Sequence, residues 1–309
     1  MFKGSSMSRV FALLILAAVA LPGCQKGGLV FFPGDGFEAE VVGTSKAGFA
    51  APDGIAWRGG TMYLADECGH AVLRFDGKKT TRLADADSGL QSPEDLVVAE
   101  DGTVFFTDDD AGGLWQIDPS GKVRQLATAQ QGMPSTEGLA LAPNGNLLVG
   151  DGETHTVFEV TRAGKVSVLV GPEAGIQKPE SMAFDSQGNL YIADNRQNIV
   201  FLRDRDGKLS KLLTAANGLG QPESICICNG DLYITDDEGG KLYRYRPTGG
   251  LQTVAVFAGR LQNVQGVTAG EDGGVLITVQ DLKRGQGIIL RVGPRPVNDS
   301  RQVAGLVGK

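Results

Sequence analysis

Histidine is scarce in this chain, with two copies in 309 residues, and neither a His-rich metal spacing nor a Gly-x-Ser-x-Gly element is present. Zinc-hydrolase and nucleophile-elbow chemistry therefore lack their residues. Cysteine is almost as rare: Cys24, Cys68, Cys226 and Cys228 are the full set. With Cys24 assigned to the leader described below, an odd three remain, so no disulfide framework is indicated. Cys226 and Cys228, two apart on a strand, point to one face, and all three, Cys68 included, read as mostly buried small apolar residues rather than zinc ligands. The apolar run Val10 to Ala20 is too short to span a bilayer comfortably, and Lys3 and Arg9 precede or flank it with no acid before Ala20. That is the pattern of an export signal. The formal charge of −7, more negative still once the leader is removed, argues against nucleic acid as a partner. What the chain has in abundance is turn chemistry: 45 glycines and 13 prolines fit many short strands joined by tight turns, not a helical bundle.

Leu21-Pro22-Gly23-Cys24 resembles the bacterial lipobox. The resemblance implies cleavage before Cys24 and acylation of its thiol; the alternative is a simple signal peptide with a chance cysteine. Residues 1–23 are then the lipoprotein signal peptide, and 24–36 the lipidated cysteine and a short tether. Gln25 in place of Asp favours the outer membrane by the sorting rule of such lipoproteins. A periplasm-facing or surface protein of the bacterial cell envelope is expected. Residues 37–293 form one domain, and 294–309 a polar, glycine-containing tail.

Inside that domain one unit recurs. Copies open at Pro52-Asp53-Gly54-Ile55, Pro93-Glu94-Asp95-Leu96, Thr136-Glu137-Gly138-Leu139, Pro179-Glu180-Ser181-Met182, Pro222-Glu223-Ser224-Ile225 and Val264-Gln265-Gly266-Val267. The acid, glutamine in the last copy, returns every 41 to 43 residues, which is the length of a propeller blade. A second apolar strand in each of the first five copies ends in Asp66, Asp108, Asp151, Asp194 or Asp236. Third and fourth strands follow, but only five fourth strands lie downstream of their copies. Phe37 to Val42, upstream of the first copy, is expected to complete the sixth sheet and close the ring. The fold class is all-β: a six-bladed β-propeller of four-stranded antiparallel blades.

The two acids of each copy stand 13 or 14 residues apart, with a turn such as Asn144-Gly145 or Gln187-Gly188 midway. Positions equidistant from a turn face each other, which predicts that each pair meets at the open end of its hairpin. The first strands of a propeller line its channel. Asp53, Glu94, Glu137, Glu180 and Glu223 are therefore expected around the channel mouth, backed by the second column. Two carboxylates about 5 to 6 Å apart repel by roughly 3 kcal/mol at an effective dielectric of about 20. A cation, protons held at raised pKa, or hydrogen-bond donors must relieve five of them. The second column reads as turn caps; the first reads as a ligand or cation site, or as bracing between blades. Hard oxygen ligands in this number suit calcium better than zinc. The sixth copy breaks the pattern with Gln265 and Val279, which marks either the access route on its side of the mouth or simple drift at a terminal blade. His70 and His155 each lie four residues after a second-column aspartate, where a histidine can serve as a general base or simply belong to the repeat.

Pro52-Asp53-Gly54-Ile55-Ala56 and Gly188-Asn189-Leu190-Tyr191-Ile192-Ala193-Asp194, with His70, resemble NHL repeats over about 260 residues. That class includes enzymes and pure binding modules. The chain is also similar to the senescence marker protein and gluconolactonase family, six-bladed propellers that hydrolyse lactones or esters with one divalent cation in the channel. That resemblance places cation ligands at the opening positions, here Asp53, Glu94, Glu137, Glu180 and Glu223, with glutamates where the family has asparagines. It implies polarisation of a carbonyl or activation of water, with a spare carboxylate (Glu137 or Glu180) or His155 taking the proton. Two readings follow: a cation-dependent hydrolase acting on a small lactone or ester, or a noncatalytic scaffold for a protein, peptide or glycan. Elimination at a cyclic ester is a third. A monomer, bound to the membrane only through its lipid, is the expected state.

Overall fold

The computed structural model describes residues 29–259 and 261–295. The signal peptide, Cys24 and residues 296–309 lie outside the described residues. Six antiparallel sheets form the ring, five of four strands and one of five. Their inner strands are Pro52–Arg58, Pro93–Val98, Thr136–Leu141, Pro179–Phe184, Pro222–Cys228 and Asn263–Ala269, one per blade, numbered one to six in that order. The ring closes as the sequence predicts. Phe37–Thr44 pairs with Gln286–Pro294 and so supplies the outer strand of blade six.

Each blade is buried on both faces, so the second strands do not alternate: Val104–Asp108 and Leu147–Asp151 are buried at every position. Apolar clusters lie between neighbouring blades rather than within them. Phe105 and Leu114 of blade two pack with Leu139, Leu147 and Phe158 of blade three, for example. Since no blade can cover both of its faces alone, the closed ring is the folding unit.

Part of the expected tether is instead sheet. Leu29–Pro33 pairs with the outer strand of blade five, Gly250–Gly259, as its fifth strand. Phe31 anchors it, 2% exposed and against Phe257 at 5.4 Å between ring centroids. Gly34 then passes so close that an added Cβ would lie 2.8 Å from the Thr253 carbonyl oxygen.

The predicted pairing of the two acid columns needs one correction. The residue opposite each strand-ending aspartate is the one before the inner acid: Pro52 faces Asp66, Pro93 faces Asp108, Thr136 faces Asp151, Pro179 faces Asp194 and Pro222 faces Asp236. A bulge follows in every inner strand and contains the acid. An extra residue in one strand re-aims its side chain, here toward the axis. The bulge also brings adjacent inner strands very close. At Gly54, Gly138 and Gly266 a Cβ would meet the next blade's backbone at 2.6 Å or less. Where the residue is not glycine its side chain bonds across the gap instead: Asp95 accepts from Leu139 N, Ser181 from Ile225 N and Ser224 from Val267 N.

Candidate functional site

The second acid column is structural. Asp108 is fully buried and accepts the backbone N–H groups of Gln91, Ser92 and Ala111 at 2.8 to 3.0 Å. Asp151 does the same for Ser135 and Thr154, Asp194 for Gln177 and Asp236 for Gln221 and Gly239. These carboxylates tie the loop leading into each inner strand to the loop leaving the second strand, as turn caps do.

The inner column converges. Asp53, Glu94, Glu137, Glu180 and Glu223 all line one axial cavity of about 20 Å³. That is room for an ion or a single water and not for an organic molecule. Beyond the ring the channel widens to about 240 Å³ between largely apolar side chains such as Ile55, Leu96, Met182 and Ile225. The acids are thus the polar constriction of the channel.

Their neutralisation is uneven. Lys178, two residues before Glu180, reaches into the ring with Nζ at 2.7 Å from Glu180 Oε1 and 3.2 Å from Glu137 Oε1. Asn195 Nδ2 donates to Glu180 Oε1 and, at 3.0 Å, to Glu223 Oε2. Among the described residues no lysine or arginine forms an ion pair with Asp53 or Glu94; Glu94 has only the Ser92 hydroxyl, at 3.2 Å. Burial raises all five pKa values, and carboxylate neighbours raise them further. Glu137 and Glu180 are pushed up to about 8 even against Lys178, and Glu223 to about 7. Asp53 and Glu94 rise well above the ordinary range, by burial first and then by Glu223 and Asp53 respectively. Asp95, at the bulge of blade two, is pushed up to about 7 by burial, despite donors from Leu139 and Leu96.

Sequence reasoning missed a third column. The residue after four of the five strand-ending aspartates brings a polar side chain to the mouth next to the ring: Glu67, Asp109, Asn195 and Asp237 hold this place, with Gly152 in blade three. Asp109 matters most. Glu94, Asp109 and Glu137 each offer a carboxylate oxygen, and these lie within 4.8 Å of one another. Oxygens on opposite sides of a hard cation with bonds of about 2.4 Å stand about that far apart. Glu180 Oε2 is also buried, with no hydrogen-bond partner among the described residues. An all-oxygen set with acceptors to spare fits a hard divalent cation, beside the Lys178 pair and sharing Glu137 with it.

The histidines stand apart. His155 holds a left-handed conformation (φ 57°) with Nδ1 2.5 Å from the Gln177 carbonyl oxygen, and His70 bonds Gln91 O in the same way. Neither lines the axial cavity. On the blade-six side Gln265 Nε2 donates to Asp237, Gln280 Nε2 to Ala51 O, and Arg284 pairs with Asp281 at 2.8 Å. Polar contacts tie down the flank that the sequence marks as a candidate access route.

Fold and site together define a six-bladed propeller with an acidic, partly self-neutralised channel mouth. Residues 32–218 match the family described as SMP-30/Gluconolactonase/LRE-like region, and the chain belongs to that family. No curated protein matches the sequence. Among solved structures it is similar to the calcium-binding protein regucalcin of Agrobacterium tumefaciens, with 18% identity and a TM-score of 0.65 over 84% of this chain and 96% of that one. A luciferin-regenerating enzyme is similar at 16% identity and a TM-score of 0.67, over 84% and 95% of the two chains. Virginiamycin B lyase of Staphylococcus aureus gives 18% and 0.60, over 84% and 89%. At such identities the likeness is one of fold.

Proposed function

We propose that the mouth binds one divalent cation, with calcium the best fit, and acts as a hydrolase on a small lactone or ester. The observation that carries this reading is the convergence of five inner acids on one ion-sized cavity with a built-in cation on one side only. Glu94, Asp109 and Glu137 would hold the ion, with Asp53 beside Glu94 on the next blade. When bound, it supplies a Lewis acid that polarises the carbonyl of the substrate. The cavity is too small for the substrate itself, so only the reacting group reaches the ring and the remainder rests on the mouth. Glu180, fixed by Lys178 and Asn195, exchanges a proton near neutral pH and is better placed for that task than His155.

Acylated Cys24 would hold the protein, as a monomer, to the cell envelope, with the outer membrane the expected site. The test combines metal analysis of the purified domain with hydrolysis of a lactone and ester panel in calcium and in EDTA. Hydrolysis that needs the cation and is lost in Glu94→Gln supports the reading. Binding of the cation without any turnover favours the noncatalytic scaffold, for which the pinning of both histidines to backbone carbonyls speaks. No bound cation at all ends the proposal.

A further inference from the structure

The added strand of blade five fixes where the chain leaves the propeller on its way to Cys24. In that blade Asp236 at the mouth pairs with Lys241, and Lys241 pairs with Val256 of the outer strand. Val256 is therefore level with the mouth, and Phe32 faces it. Leu29 faces Gly259, three residues further on, so the chain emerges about 10 Å beyond Val256 along the outer strand, at the mouth end of the blade. The base of the same strand, Gly250, which pairs with Arg246, lies nine residues back, about 30 Å away.

Only four residues, Gln25 to Gly28, separate Cys24 from Leu29. Fully extended, that link spans at most about 18 Å. It cannot pass from the mouth rim round to the base of the blade. We propose that the channel mouth faces the lipid surface, held within a tether length of the headgroups, so that ligands reach the acid ring from the membrane side. The inference rests on acylation of Cys24. The rim is acidic, with Asp110, Glu153 and Glu238 in the mouth loops, which suits a zwitterionic headgroup layer better than an anionic one.

Cys68 provides a native probe: against the expectation of burial it is exposed, because it falls in a mouth loop and not on a strand, while Cys228 is buried and Cys226 half-buried. The full acylated protein is reconstituted into phosphatidylethanolamine–phosphatidylcholine vesicles containing a headgroup-labelled acceptor lipid. Energy transfer from a donor on Cys68 is compared with that from a donor on Ser186→Cys, in a turn at the opposite end, in a Cys68→Ser background. With about 20 Å between the two levels along a blade, the transfer rate from Cys68 is expected to be at least about threefold the greater. Inserting about twenty Gly/Ser residues after Gly28 is expected to remove the difference, because the tether then exceeds the height of a blade. Equal transfer from both donors, or more from position 186, with Cys24 acylation verified by mass spectrometry, overturns the orientation and leaves the anchor intact. Vesicle binding by Cys24→Ser equal to that of the parent, or an unmodified Cys24, overturns the anchor and the orientation with it.

Discussion

The two halves of the acid ring solve the same electrostatic problem in different ways. Across blades three to five, Lys178 and Asn195 lace Glu137, Glu180 and Glu223 together with donors from the chain itself. Across blades one and two, Asp53 and Glu94 face the same cavity with no ion-paired lysine or arginine among the described residues. Both halves are raised in pKa by burial and mutual repulsion, yet only one is compensated from within. A ring of like charges can thus be stable and still leave one flank open to an exogenous ion.

The largest effect should come from the laced half. Lys178→Met strands two buried carboxylates, and in EDTA at pH 9, a unit above their folded values of about 8, it should cost about 3 kcal/mol in urea denaturation. At pH 6, where Glu137 and Glu180 hold protons, less than half of that loss should remain. An equal loss at both pH values would mean that Lys178 acts by packing and that the two halves do not differ in charge.

Next in size is the pH dependence of the metal-free protein. Carboxylates whose folded pKa exceeds the unfolded value bind more protons in the folded state between about pH 4.5 and 8. Stability from these groups is full below that window and is lost as pH rises through the folded values of about 7 to 8. Thermal melting in EDTA should fall by several degrees from pH 6 to pH 9, and saturating calcium should flatten the curve. A curve that is already flat in EDTA would show that the chain compensates the whole ring.

On the open half, Glu94→Gln should weaken calcium binding by at least about tenfold in calorimetry and stabilise the metal-free protein by about 1 kcal/mol at pH 8. Glu137→Gln, at the seam between the two halves, should weaken it as well. If Glu137→Gln and Glu180→Gln left both metal content and stability unchanged, the site would have no basis. The smallest effect belongs to Glu153→Gln, exposed on the rim, which should alter stability by less than about 0.5 kcal/mol and leave affinity unchanged. A large loss of affinity there would make the general negative field, rather than the local geometry, the binding determinant.

Much of this was legible in the sequence because a propeller writes its period openly. The recurrence from Asp53 to Gln265, the midway turns and the displaced strand at Phe37 give the six blades and their closure. The convergence of the inner acids follows from strand order alone. The bulge was hidden, since the proline or threonine before each acid, and not the acid, pairs with the second strand. One inserted residue is invisible to counting outward from a turn. Asp109 and Asn195 escaped for a related reason: they follow the conspicuous strand-ending aspartates, which turned out to cap backbone N–H groups. Lys178 gave no periodic signal, because serine or glutamine stands at its place in blades two, three and five. Leu29–Pro33 looked like tether because five residues next to a leader carry too little pattern to show a strand.

Anomalous diffraction from crystals grown with manganese tests the central claim most directly. A single strong peak bounded by the carboxylates of Glu94, Asp109 and Glu137, with Lys178 still between Glu137 and Glu180, is the predicted result. An empty channel, or an ion seated between Glu137 and Glu180 with the lysine driven out, would contradict it.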